Sequence, residues 1–171
     1  MAATLRVATP LIFGTLGELF SERAGILNLG IEGTMLIGAF VGFATTYHTG
    51  SLWLGVTAAC LVGVFAGLLM ALMTVYIGVN QHVSGLGITL FCTGLSYYAF
   101  RVIFGTPSNP PQIQPFAQVS LLGNIPVVGQ IMNQYPITFY GILLIPIVWW
   151  VLYRTNFGLK IRAVGENPEA A

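Results

Sequence analysis

The stretch Leu52–Val79, LWLGVTAACLVGVFAGLLMALMTVYIGV, decides the fold because it contains no charged side chain. An α-helix rises about 1.5 Å per residue, so about 20 apolar residues cross a hydrocarbon layer of about 30 Å. This stretch is long enough to cross. A second uncharged stretch, Val83–Phe100, lies between the polar pair Gln81 and His82 and the cation Arg101. Both stretches are predicted to be transmembrane helices.

Three further segments are candidates for membrane helices. Gly30–Tyr47 contains Glu32 near its start, and Ile137–Tyr153 is uncharged. Val7–Phe20 is short and contains Glu18, so it is predicted to be either a truncated span or a re-entrant segment. The five segments together predict an all-α protein, a polytopic transmembrane helix bundle with about five membrane segments.

The composition supports a membrane protein and excludes other classes. Charged residues make up 6% of the 171 residues and hydrophobic residues 56%, whereas soluble domains contain about 25% charged residues. Most of the surface must therefore contact membrane lipid or protein. The net charge of +1 provides no basic surface for nucleic acid. Cys60 and Cys92 lie outside any CxxC or Cys/His pattern, so no metal, disulfide or cofactor is expected.

Residues 105–136 are predicted to form an external loop outside the hydrocarbon. Proline lacks a backbone N–H and breaks helices. The loop contains Pro107, Pro110, Pro111, Pro115, Pro126 and Pro136. Within it, Phe116–Met132 is apolar enough to lie along the membrane surface as a short interfacial element.

The distribution of positive charge predicts the orientation of the chain, since cytoplasmic ends of membrane helices carry more Lys and Arg. With the carboxyl-terminal tail in the cytoplasm, four of the six cations lie inside. The inside group is Arg23, Arg154, Lys160 and Arg162, and the outside group is Arg6 and Arg101. The tail is therefore predicted to be cytoplasmic.

Glycine pairs spaced four residues apart predict close contacts between helices. Gly38 with Gly42, and Gly63 with Gly67, remove side chains from one helical face and allow two backbones to approach. Both pairs are predicted to be packing faces.

A first polar cluster, GELFSERAGILNLGIEG, covers Gly17–Gly33 and contains three of the five acidic residues. Glu22 and Arg23 are interpreted as solvated residues of a turn. Glu32 differs, because the apolar run that follows it is too short to cross unaided. Asn28–Gly33 is therefore predicted to dip into the membrane, which indicates a broken helix. Asn28 and Glu32 are therefore candidates for the translocation path.

Two features qualify this interpretation of the first cluster. Gly25, Gly30 and Gly33 are expected to supply the conformational freedom that a break in a helix needs. The alternative role of Glu32 is structural, because a carboxylate near a helix N-terminus is stabilised by the helix dipole.

A second polar cluster, RTNFGLKIRAVGENPEAA, covers Arg154–Ala171. Asn167 followed by Pro168 and Glu169 is a typical helix start, with Asn167 as the N-cap and Pro168 at the first helical position. A short cytoplasmic helix is therefore predicted to begin here. It would either lead from a basic juxtamembrane stretch into the next helix or dock onto a cytoplasmic partner.

Two stretches resemble a known family. ATPLIFGTLGELFSERAGILNLGIEGTMLIGAF, Ala8–Phe40, and FGLKIRAVGENPEAA, Phe157–Ala171, resemble permease subunits of bacterial ABC importers in the ribose, branched-chain amino acid and nucleoside group. The first stretch is typical of the nucleoside and simple-sugar branch. The second resembles the cytoplasmic coupling loop, which the ribose-type permeases also share.

The resemblance implies a function for the tail and a set of partners. The residues that would start a coupling helix, seated in a cleft of a separate ATP-binding subunit, are Gly165, Glu166, Asn167, Pro168, Glu169, Ala170 and Ala171. A second permease subunit and an external substrate-binding lipoprotein are also implied, as is location in the bacterial inner membrane. Because family members continue beyond the coupling loop, residues 1–171 are expected to be an N-terminal fragment of a permease domain.

Two other functions are alternatives to an importer subunit. The sequence has no Gly-rich phosphate loop ending in Lys, and Lys160 is its only lysine, so ATP hydrolysis is expected on a partner rather than here. A secondary transporter or channel would need no ATPase. An intramembrane enzyme would use Glu18, Glu32 and His82, which lack the spacing of an acid–base pair. Nucleosides and sugars remain open as substrates.

Overall fold

The computed structural model describes residues 2–106, 111–117, 119–120 and 133–167. These residues form six α-helices: α1 (Ala2–Arg23), α2 (Ile31–Thr49), α3 (Leu52–Ala71), α4 (Gln81–Phe104), α5 (Pro136–Arg154) and α6 (Asn156–Glu166). The helix α3 continues directly into a π-helical turn, Leu72–Tyr76. Two short strands, β1 (Val119–Ser120) and β2 (Asn133–Gln134), pair in antiparallel register. The predicted all-α class is confirmed.

Three of these helices are long and apolar enough to cross a membrane, namely α3 with its π-helical turn, α4 and α5. The other two predicted membrane segments are also helical, since α1 has 22 residues and α2 has 19. The segment Val7–Phe20, predicted to be short or re-entrant, lies inside the single continuous helix α1. Hydropathy underestimates this helix because Arg6, Glu18, Glu22 and Arg23 lie near its two ends.

The chain separates into two compact units. One contains Met1–Ile26 and Phe116–Ala171 and therefore α1, α5 and α6; the other contains Leu27–Pro115 and therefore α2, α3 and α4. The first is the α1–α5–α6 unit and the second is the α2–α3–α4 unit. One of the two boundaries, between Ile26 and Leu27, lies in the connection between α1 and α2, within the first polar cluster of the sequence.

In the α2–α3–α4 unit, helix α2 packs against both α3 and α4. The apolar core of this unit contains Ile37, Met70, Ile88 and Cys92. A Cβ added at Gly42 would lie 3.3 Å from the carbonyl oxygen of Gly55, so the predicted packing face of Gly38 and Gly42 is confirmed against α3. At Gly63 and Gly67 an added Cβ would meet nothing within 4 Å among the described residues. This second glycine pair therefore makes no close helix–helix contact within the described part of the chain.

In the α1–α5–α6 unit, α1 packs against α5, and polar groups contribute to the contact. The hydroxyls of Thr9 and Thr138, both buried, are 3.0 Å apart and share a hydrogen bond. Arg6 Nε donates to Gln134 Oε1 at 3.3 Å, and the Arg6 guanidinium lies 4.9 Å from the ring centre of Tyr135. These pairs satisfy buried polar groups that would otherwise destabilise a membrane protein.

A sharp corner joins α5 to α6. Thr155, between the helices, accepts the Gly158 N–H at 3.2 Å as the N-cap of α6 and donates its hydroxyl to the Val151 carbonyl at 2.5 Å. Any Cβ at Gly158 would collide with the carbonyl oxygens of Val151 and Leu152. Only glycine therefore permits this close turn between two helices.

The predicted external loop is described in part. Residues 111–117 have no regular secondary structure, and the β1–β2 pair lies close to the start of α5. Most of the predicted interfacial element Phe116–Met132 lies outside the described residues. The position of the loop outside the membrane therefore stays a prediction.

Candidate functional site

The helix α1 ends in a closed turn that reverses its backbone. Gly25 has a φ of 83°, and its N–H donates to the Glu22 carbonyl at 3.0 Å, while the Ile26 N–H donates to the Ser21 carbonyl at 2.9 Å. This pair of hydrogen bonds is the Schellman motif, in which a left-handed residue satisfies the last carbonyls of a helix. Glycine is required at this position because a Cβ disfavours the left-handed conformation.

The chain between this turn and α2 is not helical. Leu27 to Leu29 run without helical hydrogen bonds, and Asn28 Oδ1 accepts the Gly30 N–H at 3.0 Å just before α2 begins. The two helices α1 and α2 are therefore separated by a break, as the sequence predicted, but the break ends at Gly30, because Ile31–Gly33 already belong to α2. The expected reason was incomplete, because Gly30 has a φ of −80° and Gly33 is helical.

The helix α4 holds the break in place. Gln81 Oε1 accepts the Leu27 N–H at 2.8 Å, and the Thr89 hydroxyl donates to the Leu29 carbonyl at 3.1 Å. A Cβ added at Gly85 would lie 2.8 Å from Leu29 Cβ, so the two backbones touch closely there. The N–H and C=O groups of irregular backbone need hydrogen-bond partners inside a membrane protein. Side chains of α4 are these partners for the Leu27 N–H and the Leu29 carbonyl.

Thr89→Val is expected to destabilise the break by about 0.5–1.5 kcal/mol, the net contribution of one hydrogen bond. Valine has nearly the same shape but leaves the Leu29 carbonyl without the donor that the structure shows. Thermal unfolding of the detergent-purified protein measures the loss. Thr57→Val is the matched control, because the Thr57 hydroxyl bonds the Leu54 carbonyl within its own helix. Equal unfolding temperatures for the two variants would contradict the role given to Thr89.

The two residues predicted to line a translocation path lie at the break. Asn28 is half-buried within it, and Glu32 is exposed in the first turn of α2. The carboxylate of Glu32 makes no hydrogen bond or ion pair within the ranges that the structure describes. Its place beside the positive end of the α2 dipole also fits the alternative, structural role.

The residues of the alternative enzyme hypothesis belong to three different helices: Glu18 to α1, Glu32 to α2 and His82 to α4. His82 lies at the start of α4, where Asn80 Oδ1 accepts its backbone N–H at 2.9 Å as the N-cap. Glu18 lies in the last turns of α1, within the other compact unit. Among the described residues, no group of three His, Cys, Asp or Glu side chains could hold a metal ion.

Two of the predicted coupling residues, Gly165 and Glu166, are the last two residues of α6. The next one, Asn167, donates its backbone N–H to the Ala163 carbonyl at 3.0 Å as the C-cap of this helix. The rest of the predicted segment, Pro168–Ala171, lies outside the described residues.

The end of α6 lies directly against the end of α1. A Cβ added at Gly25 would lie 3.2 Å from the Cα of Gly165, and a Cβ added at Gly165 would collide with the Arg23 carbonyl oxygen. The Arg23 and Arg162 guanidinium carbons lie 5.7 Å and 5.2 Å from the ring centre of Tyr153. Both distances are within the range of a cation–π interaction.

Sequence reasoning missed this contact and the helix α6 itself. The available signals were Thr155 as an N-cap and the separation of Gly158 and Gly165 by two helical turns, which places both on one face. Neither signal identifies the partner, because Gly25 and Gly165 are far apart in the chain.

The comparisons agree with the resemblance of the two polar clusters. Residues 1–171 match the family model described as the permease component of branched-chain amino acid transport systems. The chain is 41% identical to TsgC13 of Haloferax volcanii, whose name assigns it provisionally to a glucose ABC transporter as a permease. It is 37% identical to NupQ of Bacillus subtilis, named a guanosine ABC transporter permease, and 38% identical to NupC of Lactococcus lactis, named a nucleoside ABC transporter permease.

These three alignments cover 99%, 99% and 100% of this chain but 52%, 56% and 57% of the relatives. The chain thus spans just over half the length of the relatives it matches. No solved structure matches it.

Proposed function

Since the chain belongs to the family of permease components of branched-chain amino acid transport systems, we propose that it is a membrane-spanning permease subunit of an ATP-driven ABC importer. The observation that carries this proposal is the match of the family model to the whole chain. The membrane-crossing length and apolar character of α3, α4 and α5 support it. The membrane is proposed to be the bacterial inner membrane, with residues 105–136 on its external side.

The proposed substrates are nucleosides or simple sugars. The names of the relatives at 37–41% identity refer to guanosine, nucleosides and glucose, and these relatives align with nearly the whole chain. These relatives are about equally similar to the chain, but their names give different substrates. The comparison therefore supports the shared role as a permease and does not favour one solute. The transporter is proposed to include a second permease subunit and an external substrate-binding lipoprotein.

ATP hydrolysis is proposed to occur on a separate ATP-binding subunit. The sequence has one lysine, Lys160, and no Gly-rich phosphate loop before it. The partner is proposed to contact the segment of Gly165, Glu166, Asn167, Pro168, Glu169, Ala170 and Ala171, which follows the cationic residues of α6. ATP can change the membrane helices only if the partner binds this segment differently in the two states.

The break between α1 and α2 is proposed to border the translocation path, with Asn28 and Glu32 beside it. Irregular backbone at membrane depth is tolerated where it is buried in protein or lines a cavity. Two hydrogen bonds from α4 satisfy backbone groups of this break. Glu32, exposed in the first turn of α2, is proposed to face the solute.

Replacement of the segment Asn167–Ala171 by five Gly and Ser residues in the full-length protein tests the function. We expect the ATP-binding subunit to be lost on purification and ATP-dependent uptake into proteoliposomes to fall to background, because the proposed contact is removed. The same replacement at Thr106–Pro110, in the proposed external loop, is the matched control and should retain both. Uptake by the unmodified protein without any ATPase subunit would instead identify a secondary transporter or channel.

A further inference from the structure

We propose that Gly165 and Tyr153 are positioning residues for transport: they join the end of α6 to the end of α1, so that displacement of the coupling segment moves the α1–α2 break. This inference rests on the proposed function, because it assumes that a partner acts on the segment after α6. It adds a named point at which that action enters the membrane helices. The three helix ends involved all lie in the α1–α5–α6 unit.

The contact between α6 and α1 is made by backbone atoms. Gly165 lies so close to the Arg23 carbonyl that no Cβ fits, and a Cβ on Gly25 would lie 3.3 Å from the Gly165 carbonyl oxygen. Side chains can change rotamer to absorb a small movement, whereas closely packed backbones cannot. A shift at the end of α6 must therefore either push the turn of Gly25 or open the contact.

Tyr153 holds the same three helix ends together from the side. Tyr153 lies in the last turn of α5. Its ring lies near the guanidinium of Arg23 at the end of α1 and near the guanidinium of Arg162 in α6. Arg162 Nε also donates to the Gly158 carbonyl at 3.4 Å, which fixes the guanidinium along α6. Two cations that would repel each other thus share one aromatic ring.

The turn on which α6 presses is stiff and leads directly into the break. Two hydrogen bonds of 3.0 Å and 2.9 Å close the turn at Gly25 and Ile26. Leu27 is the next residue along the chain, and Gln81 accepts its N–H at 2.8 Å. A displacement of Gly25 therefore reaches, within two residues, the first backbone group that α4 holds. The covalent chain through Ile26 is therefore the proposed route from the Gly25 contact to the break.

The test uses Gly25→Ala in the full-length protein assembled with its ATP-binding subunits in proteoliposomes. The added Cβ would lie 3.2 Å from the Cα of Gly165, and Gly25 lies outside the segment proposed to contact those subunits. We expect uptake to fall by about tenfold, a typical allosteric coupling, while the ATP-binding subunit is retained and ATP hydrolysis changes by less than about twofold, so that hydrolysis is uncoupled from transport. Gly17→Ala is the matched control, because an added Cβ at this α1 residue meets none of the described residues within 4 Å. Uptake by this control should equal that of the unmodified protein.

Tyr153 gives an independent test that does not depend on the folding of Gly25→Ala. Tyr153→Leu removes the ring and should lower uptake per ATP hydrolysed, whereas Tyr153→Phe keeps the ring face and should restore the unmodified ratio. A purely structural role would lower uptake and hydrolysis together and leave their ratio unchanged.

Three outcomes would overturn the inference. Gly25→Ala and Tyr153→Leu could leave uptake per ATP unchanged, or both variants could lose the ATP-binding subunit, which would make Gly25 and Tyr153 part of the docking surface instead. Uptake that needs no ATP in the unmodified protein would overturn the proposed function itself, and this inference with it. The first two outcomes leave the proposed function intact, so the two failures are distinguishable.

Discussion

Gly33→Ala is expected to destabilise the protein by about 1–3 kcal/mol, the usual cost of forcing extra atoms into a packed contact. A Cβ at Gly33 would lie 2.5 Å from the Cα of Thr89 and 3.0 Å from its carbonyl oxygen. Both neighbouring atoms belong to the backbone of α4, so α2 and α4 must separate to make room. Separation would also disturb Thr89, which bonds the Leu29 carbonyl at the break. Thermal unfolding of the detergent-purified protein measures the effect.

Gly87→Ala on α4 is the control for Gly33→Ala. An added Cβ at Gly87 meets nothing within 4 Å among the described residues. Both substitutions gain helix propensity of up to about 1 kcal/mol, so the difference between them isolates the steric effect. A Gly33→Ala protein as stable as Gly87→Ala would show that the two helices do not approach as closely as the structure shows.

Leu152→Ala is expected to destabilise the protein by about 2–5 kcal/mol, the range for removing a large side chain from a core. Leu152 has 0% exposure and lies at the corner where α5 turns into α6. The cavity left behind would adjoin the carbonyl groups against which Gly158 packs. Unfolding by heat or by denaturing detergent reports the loss, and the corner itself should become more accessible to protease.

Leu143→Ala on the same helix is the comparison for Leu152→Ala. Leu143 is 57% exposed within this chain, so its truncation leaves no cavity inside the α1–α5–α6 unit. The stability of Leu143→Ala should stay within about 0.5 kcal/mol of the unmodified protein, as for surface substitutions generally. Similar losses for the two variants would contradict the assignment of Leu152 to the core.

Hydropathy predicted the membrane-spanning helices well and the charged ends of helices poorly. The uncharged stretch Leu52–Val79 corresponds to α3 and its π-helical turn, and Val83–Phe100 lies within α4. The positions of these helices follow from the free-energy cost of exposing peptide groups and charges to hydrocarbon. That cost depends on the composition of each segment alone. Charged residues at the two ends of α1 hid its full length, because a hydropathy average cannot distinguish an interfacial end from a break.

The break between α1 and α2 was predicted, but the role of its glycines was only partly correct. Gly25 needs a positive φ, as expected. Gly33 is instead required because the backbone of α4 approaches it closely. At Gly30, an added Cβ would lie 3.2 Å from a methyl carbon of Ile88. A sequence shows where glycine occurs but not which backbone lies next to it, so the two uses of glycine cannot be separated without tertiary structure.

The sequence by itself determined the environment of this protein and its family, since the scarcity of charge and the two polar stretches at Ala8–Phe40 and Phe157–Ala171 are local properties of the chain. Only the tertiary structure placed Gly165 against Gly25, Tyr153 between Arg23 and Arg162, and Gln81 on Leu27. Such contacts join residues from different helices. They depend on how helix surfaces fit together, which no periodicity within one segment encodes.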